Sequence, residues 1–214
     1  MLSVIGDVHG KSNDYLALAR KLEGAGHKTI QLGDMGFNYA HMGNLDLSKH
    51  RFFKGNHDNP NAASSYDLGR YGYFDDWEDC PPFFFLSGGF SIDKKFRTED
   101  IDWWSKEELD IKEMCFAYED YKKIRPDLLI CHEPPYSFGQ KIGNPEILKS
   151  FGFDPETFAS STSRLLDEMI KVHQPKLVVC GHFHLDRFEQ ISGVNYLCLD
   201  ELSYVLIDKE LYIK

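Results

Sequence analysis

Five short segments rich in Asp, Asn and His each follow an apolar stretch of this chain. Their side chains are of the types that bind metal ions or transfer protons, and glycine accompanies four of the five. The segments are Asp7/His9, Asp34, Asn56/His57, His132 and His182/His184. Carboxylate oxygens and imidazole nitrogens together suit Mn, Fe, Zn or Co better than Ca or Mg alone. The residue types therefore indicate a site for divalent metal ions.

The apolar stretches before these segments are predicted to be strands. They cover residues 2–5, 29–32, 51–54, 128–131 and 177–180. Sites in open α/β sheets form beyond the carboxyl ends of the strands, so the five segments are expected to converge at one edge of the sheet. Two metal ions about 3.5–4 Å apart can hold both the attacking and the leaving oxygen of a phosphoryl transfer. Such a transfer is the chemistry that this pattern favours.

The rest of the chain alternates helix and strand signals. Helices are predicted over residues 13–23 and 161–172, and a capping box at residues 105–108 predicts a helix that continues to about Ile124. Residues 59–82 are predicted to form a long loop, and residues 83–86 and 90–92 to be strand-like. Further strand signals at 188–191, 196–199, 204–207 and 211–213 dominate the end of the chain. This order indicates a layered α/β sandwich with a mixed sheet, in a single domain that covers residues 1–214.

The five segments, taken in order, resemble the motifs of the calcineurin-like metallophosphoesterase family. The motifs are GDVHG at 6–10, GD at 33–34, GNHD at 55–58, His132 and GHFH at 181–184. All five occur in the family's order, so the resemblance is specific although each motif alone is weak. It implies a layered β-sandwich of mixed sheets flanked by helices, in agreement with the alternation of elements.

The resemblance also implies a role for each residue of the motifs. The implied ligands are Asp7, His9 and His184 for one metal ion, Asn56, His132 and His182 for the other, and Asp34 as the bridge between them. His57 would not bind metal but would contact the phosphoryl group and protonate the leaving oxygen, and Asp58 would orient His57. We expect two divalent ions, Mn²⁺ first, with Fe, Zn, Co or Ni as alternatives.

The second motif differs from that of the protein serine/threonine phosphatases, which carry Asp-Arg-Gly there. Here Gly33-Asp34 is followed by Met35-Gly36-Phe37-Asn38, without arginine. The chain is therefore more similar to compact bacterial and phage members of the family than to the phosphoprotein phosphatases. The stretch GGFSIDKKFR at 88–97, followed by Asp102-Trp103-Trp104, is also similar to such compact members.

Substrate contacts are predicted for Asn56, His57 and Arg97. The fork of Arg97 suits phosphate, and Lys94 or Lys95 could also bind it, but a solvated surface role is the commoner use of each of these cations. Trp103 and Trp104 could stack on a ring of the substrate, although packing on the core is the commoner use of such residues.

Composition narrows the partners of the chain. The formal net charge is −10, from 24 basic and 34 acidic side chains, which argues against an extended nucleic-acid groove. The five cysteines are scattered without a C-x-x-C pair, and no apolar run has the length of a membrane span. We expect a small phosphorylated substrate, no membrane partner and a cytoplasmic location (the host cytoplasm if the chain is phage-encoded). The oligomeric state stays open.

Three functions are compatible with these features. The leading hypothesis is a phosphoesterase that hydrolyses a phosphomonoester or a small, nucleotide-like phosphodiester by in-line attack of a metal-bridging hydroxide, with His57 as the acid. An Mn-dependent nuclease is the alternative, and the acidic charge counts against it. A non-catalytic scaffold of the same fold ranks third, because every ligand position is filled.

Overall fold

The structure is a computed structural model that describes residues 1–36 and 39–214. Phe37 and Asn38, which end the stretch after the second motif that carries no arginine, lie outside the described residues. Within the described ranges, ten strands form two sheets and five α-helices cover the outer faces.

The first sheet has four strands in the order β10-β1-β2-β3, and β1, β2 and β3 are parallel. Its strands are β1 (Leu2–Ile5), β2 (Lys28–Gln31), β3 (His50–Phe52) and β10 (Tyr204–Ile207). β10 runs antiparallel to β1, which makes the sheet mixed.

The second sheet has six strands in the order β4-β5-β6-β7-β9-β8. They are β4 (Tyr71–Phe74), β5 (Phe83–Leu86), β6 (Leu128–Cys131), β7 (Leu177–Cys180), β8 (Arg187–Ile191) and β9 (Val194–Cys198). β5, β6, β7 and β9 are parallel to one another, whereas the edge strands β4 and β8 are antiparallel to their neighbours.

Strands β5, β6 and β7 of the second sheet are apolar throughout because both of their faces are buried. In β5, for example, Phe83 and Phe85 point into the core between the sheets, where they join Val4 and Ile30 of the first sheet. Phe84 points the other way, towards the helices. This alternation follows from the period of two in a strand. The layered sandwich of mixed sheets flanked by helices is therefore confirmed.

The α-helices lie on the outer faces of the two sheets. They are α1 (Ser12–Gly24), α2 (Ile111–Ile124), α3 (Tyr136–Ile142), α4 (Pro145–Ser150) and α5 (Ser161–Val172). α1 buries Tyr15 and Ala19 in a core with Ile5 of the first sheet. Helices α2 and α5 pack on the second sheet through residues such as Tyr121 and Leu166. The predicted helices at 13–23 and 161–172 are thus confirmed.

The predicted start of the α2 helix is wrong. Asp110 is its N-cap and forms the capping box with Glu113: Asp110 Oδ1 accepts from the Glu113 N–H, and Glu113 Oε2 accepts from the Asp110 N–H. Glu107 and Glu108, which the prediction assigned to the box, instead accept hydrogen bonds from Ser91 and Thr162. Because both carboxylates bond to residues distant in the sequence, they do not cap a helix at residues 105–108, and the helix begins later.

Other element boundaries also differ from the predictions. The predicted loop at 59–82 contains β4, an edge strand that exists through its pairing with β5. Residues 90–92 form no strand, and residues 211–213 contribute a single bridge between Ile207 and Ile213. All five cysteines are free. Among the described helices, none has both the length and the apolar character that a membrane crossing requires.

Candidate metal centre

The predicted ligands lie in the loops that follow five strands of the two sheets. β1, β2 and β3 of the first sheet lead to Asp7/His9, Asp34 and Asn56/His57, whereas β6 and β7 of the second lead to His132 and His182/His184. These strands are parallel within each sheet, so their carboxyl ends open at the same edge of the sandwich. The site therefore lies where the ends of both sheets meet.

The structure brings all seven predicted ligands together. Donor atoms of Asp7, His9, Asp34 and His184 lie within 4.8 Å of one another, and those of Asp34, His132 and His182 form a second group by the same measure. Asn56 joins the second group, because its Oδ1 lies 2.8 Å from His132 Nε2. Asp34 is the only residue shared by the two groups found among the described residues.

Four of these residues adopt an unusual backbone conformation. His9, Asp34, His182 and His184 all have positive φ, between 47° and 68°. Residues other than glycine rarely adopt this region, and each such conformation costs free energy that the surrounding structure must supply. The concentration of strained residues at the cluster indicates that the loops are shaped to aim these side chains at one point.

Glycines next to the ligands leave room for this convergence. A Cβ atom at Gly55 would lie 2.6 Å from both the backbone nitrogen of Asp34 and Cε1 of His132. A Cβ atom at Gly181 would collide with the Asp7 carboxylate. The two ligand groups can approach each other only because these positions have no side chain.

The two carboxylates at the centre are buried and ionised. Burial alone would raise the pKa of Asp34, but His132 and His57 outweigh it and hold that pKa well below its usual range. Burial would also raise the pKa of Asp7, but His132 and His184 outweigh this effect and lower it. Both side chains are fully buried. Two adjacent buried negative charges of this kind favour bound cations.

The histidines respond to their surroundings in opposite directions. Burial would lower the pKa of His132, but Asp34 and Asp7 raise it to about 10. Burial and the charge of His132 lower the pKa of His182 to about 3. His132 Nδ1 donates to the carbonyl of Leu32 at 2.9 Å, which points Nε2 towards Asn56 and Asp34. A fixed ring of this kind is typical of metal-binding histidines.

The donor set fits a pair of metal ions. Asp34 Oδ1 accepts a hydrogen bond from the backbone N–H of His57 at 2.8 Å, whereas the buried Oδ2 has no hydrogen-bond partner. A buried carboxylate oxygen without a partner is costly unless a cation satisfies it. Oδ2 also lies near donors of both groups, 3.7 Å from His9 Nε2 and 3.5 Å from His132 Nε2. This is the position that a bridging ligand requires.

His57 lies beside the cluster but belongs to neither group of donors. Its Nε2 is 4.0 Å from Asp34 Oδ2, and its ring centroid is 5.5 Å from that of His9. Burial lowers the pKa of His57, and Asp34 works against that shift. The side chain lines the same cavity as Asn56 and His182. His57 is therefore placed next to the centre, on the side from which a substrate would enter.

Asp58 connects the loops that follow β2 and β3. Its Oδ1 accepts from the backbone N–H groups of Met35 and Gly36, and its Oδ2 accepts from that of Gly55. Burial is the main cause that raises the pKa of Asp58, to about 6. These bonds position the backbone that precedes His57. The predicted orienting of the His57 ring by Asp58 stays a prediction.

A cavity of about 850 Å³ opens at the centre, and Arg97 lies in its wall beside His57 and Asn56. Arg97 Nη2 pairs with Asp93 Oδ2 at 2.6 Å. Lys94 lies over the ring of Phe90 at 4.2 Å, and Lys95 donates to the carbonyl of Phe151. Trp103 Nε1 donates to Glu107, so that side chain is held within the protein.

Three supporting residues escaped the sequence analysis. Ser91 Oγ accepts from Asn56 Nδ2 at 2.9 Å, and this contact turns Asn56 Oδ1 towards His132. Glu201 Oε1 lies 3.8 Å from His184 Nδ1. The amide of Gln31 bonds to Gly6 and Gly33, the residues that open the first two motifs. Only Gln31 gave a signal, as a polar residue in an apolar run.

The fold is shared with solved structures of low sequence identity. A dimetal phosphatase from Danio rerio aligns with a TM-score of 0.55 and 12% identity, covering 94% of this chain and 87% of that one. A putative 5'-nucleotidase from Staphylococcus aureus aligns over all of this chain but only 52% of its own, with a TM-score of 0.50 and 14% identity. GAP50, the anchor in the inner membrane complex of Plasmodium, aligns with a TM-score of 0.50 and 13% identity, covering 93% of this chain and 70% of that one.

The sequence itself gives the family. No curated protein matches the chain. A family model described as Calcineurin-like phosphoesterase, however, matches residues 2–186. That range covers most of the chain and contains every one of the five motifs whose side chains meet at the centre. We conclude that the chain belongs to the calcineurin-like phosphoesterase family and is a metal-dependent phosphoric ester hydrolase.

Proposed function

We propose that this chain hydrolyses small phosphodiesters at a centre of two divalent metal ions, with Mn²⁺ as the native ion. The observation that carries the proposal is the position of Asp34, whose unpartnered Oδ2 lies between the two groups of donors. Asp34 is a member of both groups, so its carboxylate would be a ligand of each ion. This arrangement would require two neighbouring ions.

The ligands divide between the ions as the two groups suggest. Asp7, His9 and His184 would hold one ion, Asn56, His132 and His182 would hold the other, and Asp34 would contact both. The pair would supply Lewis acidity, which activates a water molecule and neutralises charge on the phosphoryl oxygens. Asp oxygens and His nitrogens suit Mn²⁺ among the divalent ions.

The chain's own contribution to the reaction is positioning and proton transfer. His57 Nε2 faces the centre without belonging to it, so it can donate a proton to the departing oxygen. Burial lowers the pKa of His57, and Asp34 opposes that shift by favouring the protonated form. Asn56 and Arg97, in the same wall of the cavity, would hold the phosphoryl oxygens.

The charges in the cavity favour a diester over a monoester. A monoester carries one more negative charge than a diester and needs an additional cationic group for its terminal oxygens. Among the described residues that line the cavity, Arg97 is the only lysine or arginine, and Asp93 already pairs with it. The same shortage of cations argues against the nuclease alternative, which requires contacts to successive phosphates.

The test compares two chromogenic esters on Mn²⁺-loaded protein. We expect kcat/KM for bis(4-nitrophenyl) phosphate to exceed that for 4-nitrophenyl phosphate by on the order of tenfold or more, with two metal ions per chain by mass spectrometry. A preference for the monoester would overturn the diester assignment. Turnover of neither ester, or a single bound ion, would overturn the dinuclear phosphodiesterase as a whole. Digestion of plasmid DNA at a comparable rate would favour the nuclease.

A further inference from the structure

The cavity extends well beyond the metal-binding residues. One part of its wall, here called the aromatic arm, consists of Phe90, Phe151, Phe158 and Phe183 together with Ile142. The rings support one another, because Phe90 and Phe158 have centroids 5.3 Å apart. A volume of about 850 Å³ falls within the range of small-molecule sites and far exceeds the needs of one phosphoryl group. The arm therefore has room for a second part of the substrate.

The arm is not suited to a further anionic group. Arg97 is the sole lysine or arginine among the described lining residues, and its guanidinium already pairs with the Asp93 carboxylate. A second phosphate in the arm would find no free side-chain cation to receive it. The group that fits the arm is consequently uncharged.

Glu133 shows that the arm is not purely hydrophobic. This side chain lines the cavity, is only 6% exposed, and has an Oε2 atom without a hydrogen-bond partner. A buried polar atom in this state costs free energy that a bound ligand can recover by a hydrogen bond. An alkyl chain offers no such bond, whereas a ring that bears an N–H or O–H group does.

From these observations, and resting on the proposed function, we propose that the substrate carries an uncharged aromatic ring system with an N–H or O–H group. The ring lies in the aromatic arm against Phe90 and Phe158, its polar hydrogen faces Glu133, and the phosphoryl group lies at the metal ions. Large planar rings gain most from such a wall, since aromatic pairs add to the free energy of simple burial.

The test measures the binding of four phosphinic acids to the Mn²⁺-loaded protein by calorimetry. Each carries one methyl group and a second substituent, which is methyl, octyl, 1-naphthylmethyl or indol-3-ylmethyl, so the single negative charge of a diester is constant and no bond is broken. We expect the indolyl compound to bind most tightly, the naphthyl compound next, and both on the order of tenfold or more tighter than the methyl compound. The octyl compound should gain less than either ring.

Substitutions test whether the preference for aromatic compounds arises in the aromatic arm. Phe158→Ala should reduce the ratio of indolyl to methyl affinity by about tenfold, whereas Phe116→Ala, which removes a half-exposed ring on α2, should leave that ratio unchanged. Glu133→Leu should abolish the advantage of indolyl over naphthyl. Equal affinities for all four compounds, or a higher affinity for octyl than for the rings, would overturn the proposal.

A separate measurement distinguishes this proposal from the proposed function. The neutral alcohols 1-naphthol and indole-3-methanol lack a phosphoryl group and test the arm alone. If dimethylphosphinate does not bind but these alcohols bind and lose affinity in Phe158→Ala, the proposed phosphodiesterase function is wrong and the arm is right. If dimethylphosphinate binds and the alcohols do not, the arm is wrong.

Discussion

Oδ1 of Asp34 accepts a hydrogen bond of 2.8 Å from the backbone N–H of His57, while Oδ2 of the same carboxylate is buried without a hydrogen-bond partner. One carboxylate thus fixes the chain that carries the proposed acid and presents its other oxygen to both groups of donors. This contact joins the backbone of the proposed acid directly to the metal centre. Substitutions at the two residues should therefore separate metal binding from proton transfer.

Asp34→Asn should remove metal from both positions. The carbonyl oxygen of the introduced amide can still accept from the His57 N–H, but an uncharged group replaces the oxygen that would bridge the ions. We expect fewer than about one ion per chain and a loss of turnover on the order of a hundredfold or more. Mass spectrometry and diester kinetics measure the two effects. Asp75→Asn, at an exposed position, is the matched control; full metal content in Asp34→Asn would contradict the bridging assignment.

His57→Ala should keep both metal ions and lose most of the turnover. The His57 ring belongs to neither donor group, and general acids contribute roughly 10²–10⁴-fold. The loss should be larger for a phenyl ester than for a 4-nitrophenyl ester, because nitrophenolate departs without a proton. A loss that is equal for both leaving groups would indicate a positioning role for His57 rather than proton transfer.

Ser91→Ala should weaken one metal position and spare the other. Without Ser91 Oγ, the Asn56 amide loses the contact that directs its Oδ1 towards His132. We expect about a tenfold loss of affinity at the position that includes Asn56, as is typical when a supporting hydrogen bond is removed. Calorimetry with Mn²⁺ resolves the two positions, and the exposed Ser150→Ala serves as control. A uniform loss at both positions would point to a general disturbance of the loops.

The ligands could be predicted from the sequence because each follows an apolar strand, and parallel strands bring their ends together without any further information. Ser91 and Glu201 could not be predicted in this way. Ser91 reaches Asn56 across 35 residues, and Glu201 reaches His184 from the loop between β9 and β10. Such contacts depend on the packing of loops that carry no periodic pattern.

Some short strands and helices could not be predicted from the sequence for a similar reason. β4 includes a glycine and two tyrosines, a composition that resembles a loop, and it becomes a strand by pairing with β5. The helices α3 and α4 follow a motif rich in proline and are too short to show a clear period. In each case tertiary contacts, rather than local preference, decide the structure.

Removal of metal should destabilise the wild-type protein. Asp7 and Asp34 place two ionised carboxylates in a fully buried site, and bound cations offset their repulsion. Ligand at a hundred times its Kd stabilises a protein by about 2.7 kcal/mol, which for this length corresponds to roughly 5–10 °C in Tm. Thermal unfolding with Mn²⁺ and with a chelator measures the shift. Asp34→Asn should show little response to Mn²⁺ and, in chelator, should unfold at or above the wild-type temperature.

The start of α2 offers a test of local energetics that is independent of catalysis. Two segments of the chain fit the capping-box pattern, residues 105–108 and residues 110–113, and the structure uses the second. Asp110→Ala should therefore lower the free energy of unfolding by about 1 kcal/mol, the usual effect of losing an N-cap, whereas Ser105→Ala should change it little. Denaturant unfolding of the two variants under identical metal conditions decides between the positions. A larger effect at Ser105 would restore the earlier start of the helix, and would also mean that Glu107 and Glu108 are not available to Ser91 and Thr162, the contacts that connect this segment to the cavity wall.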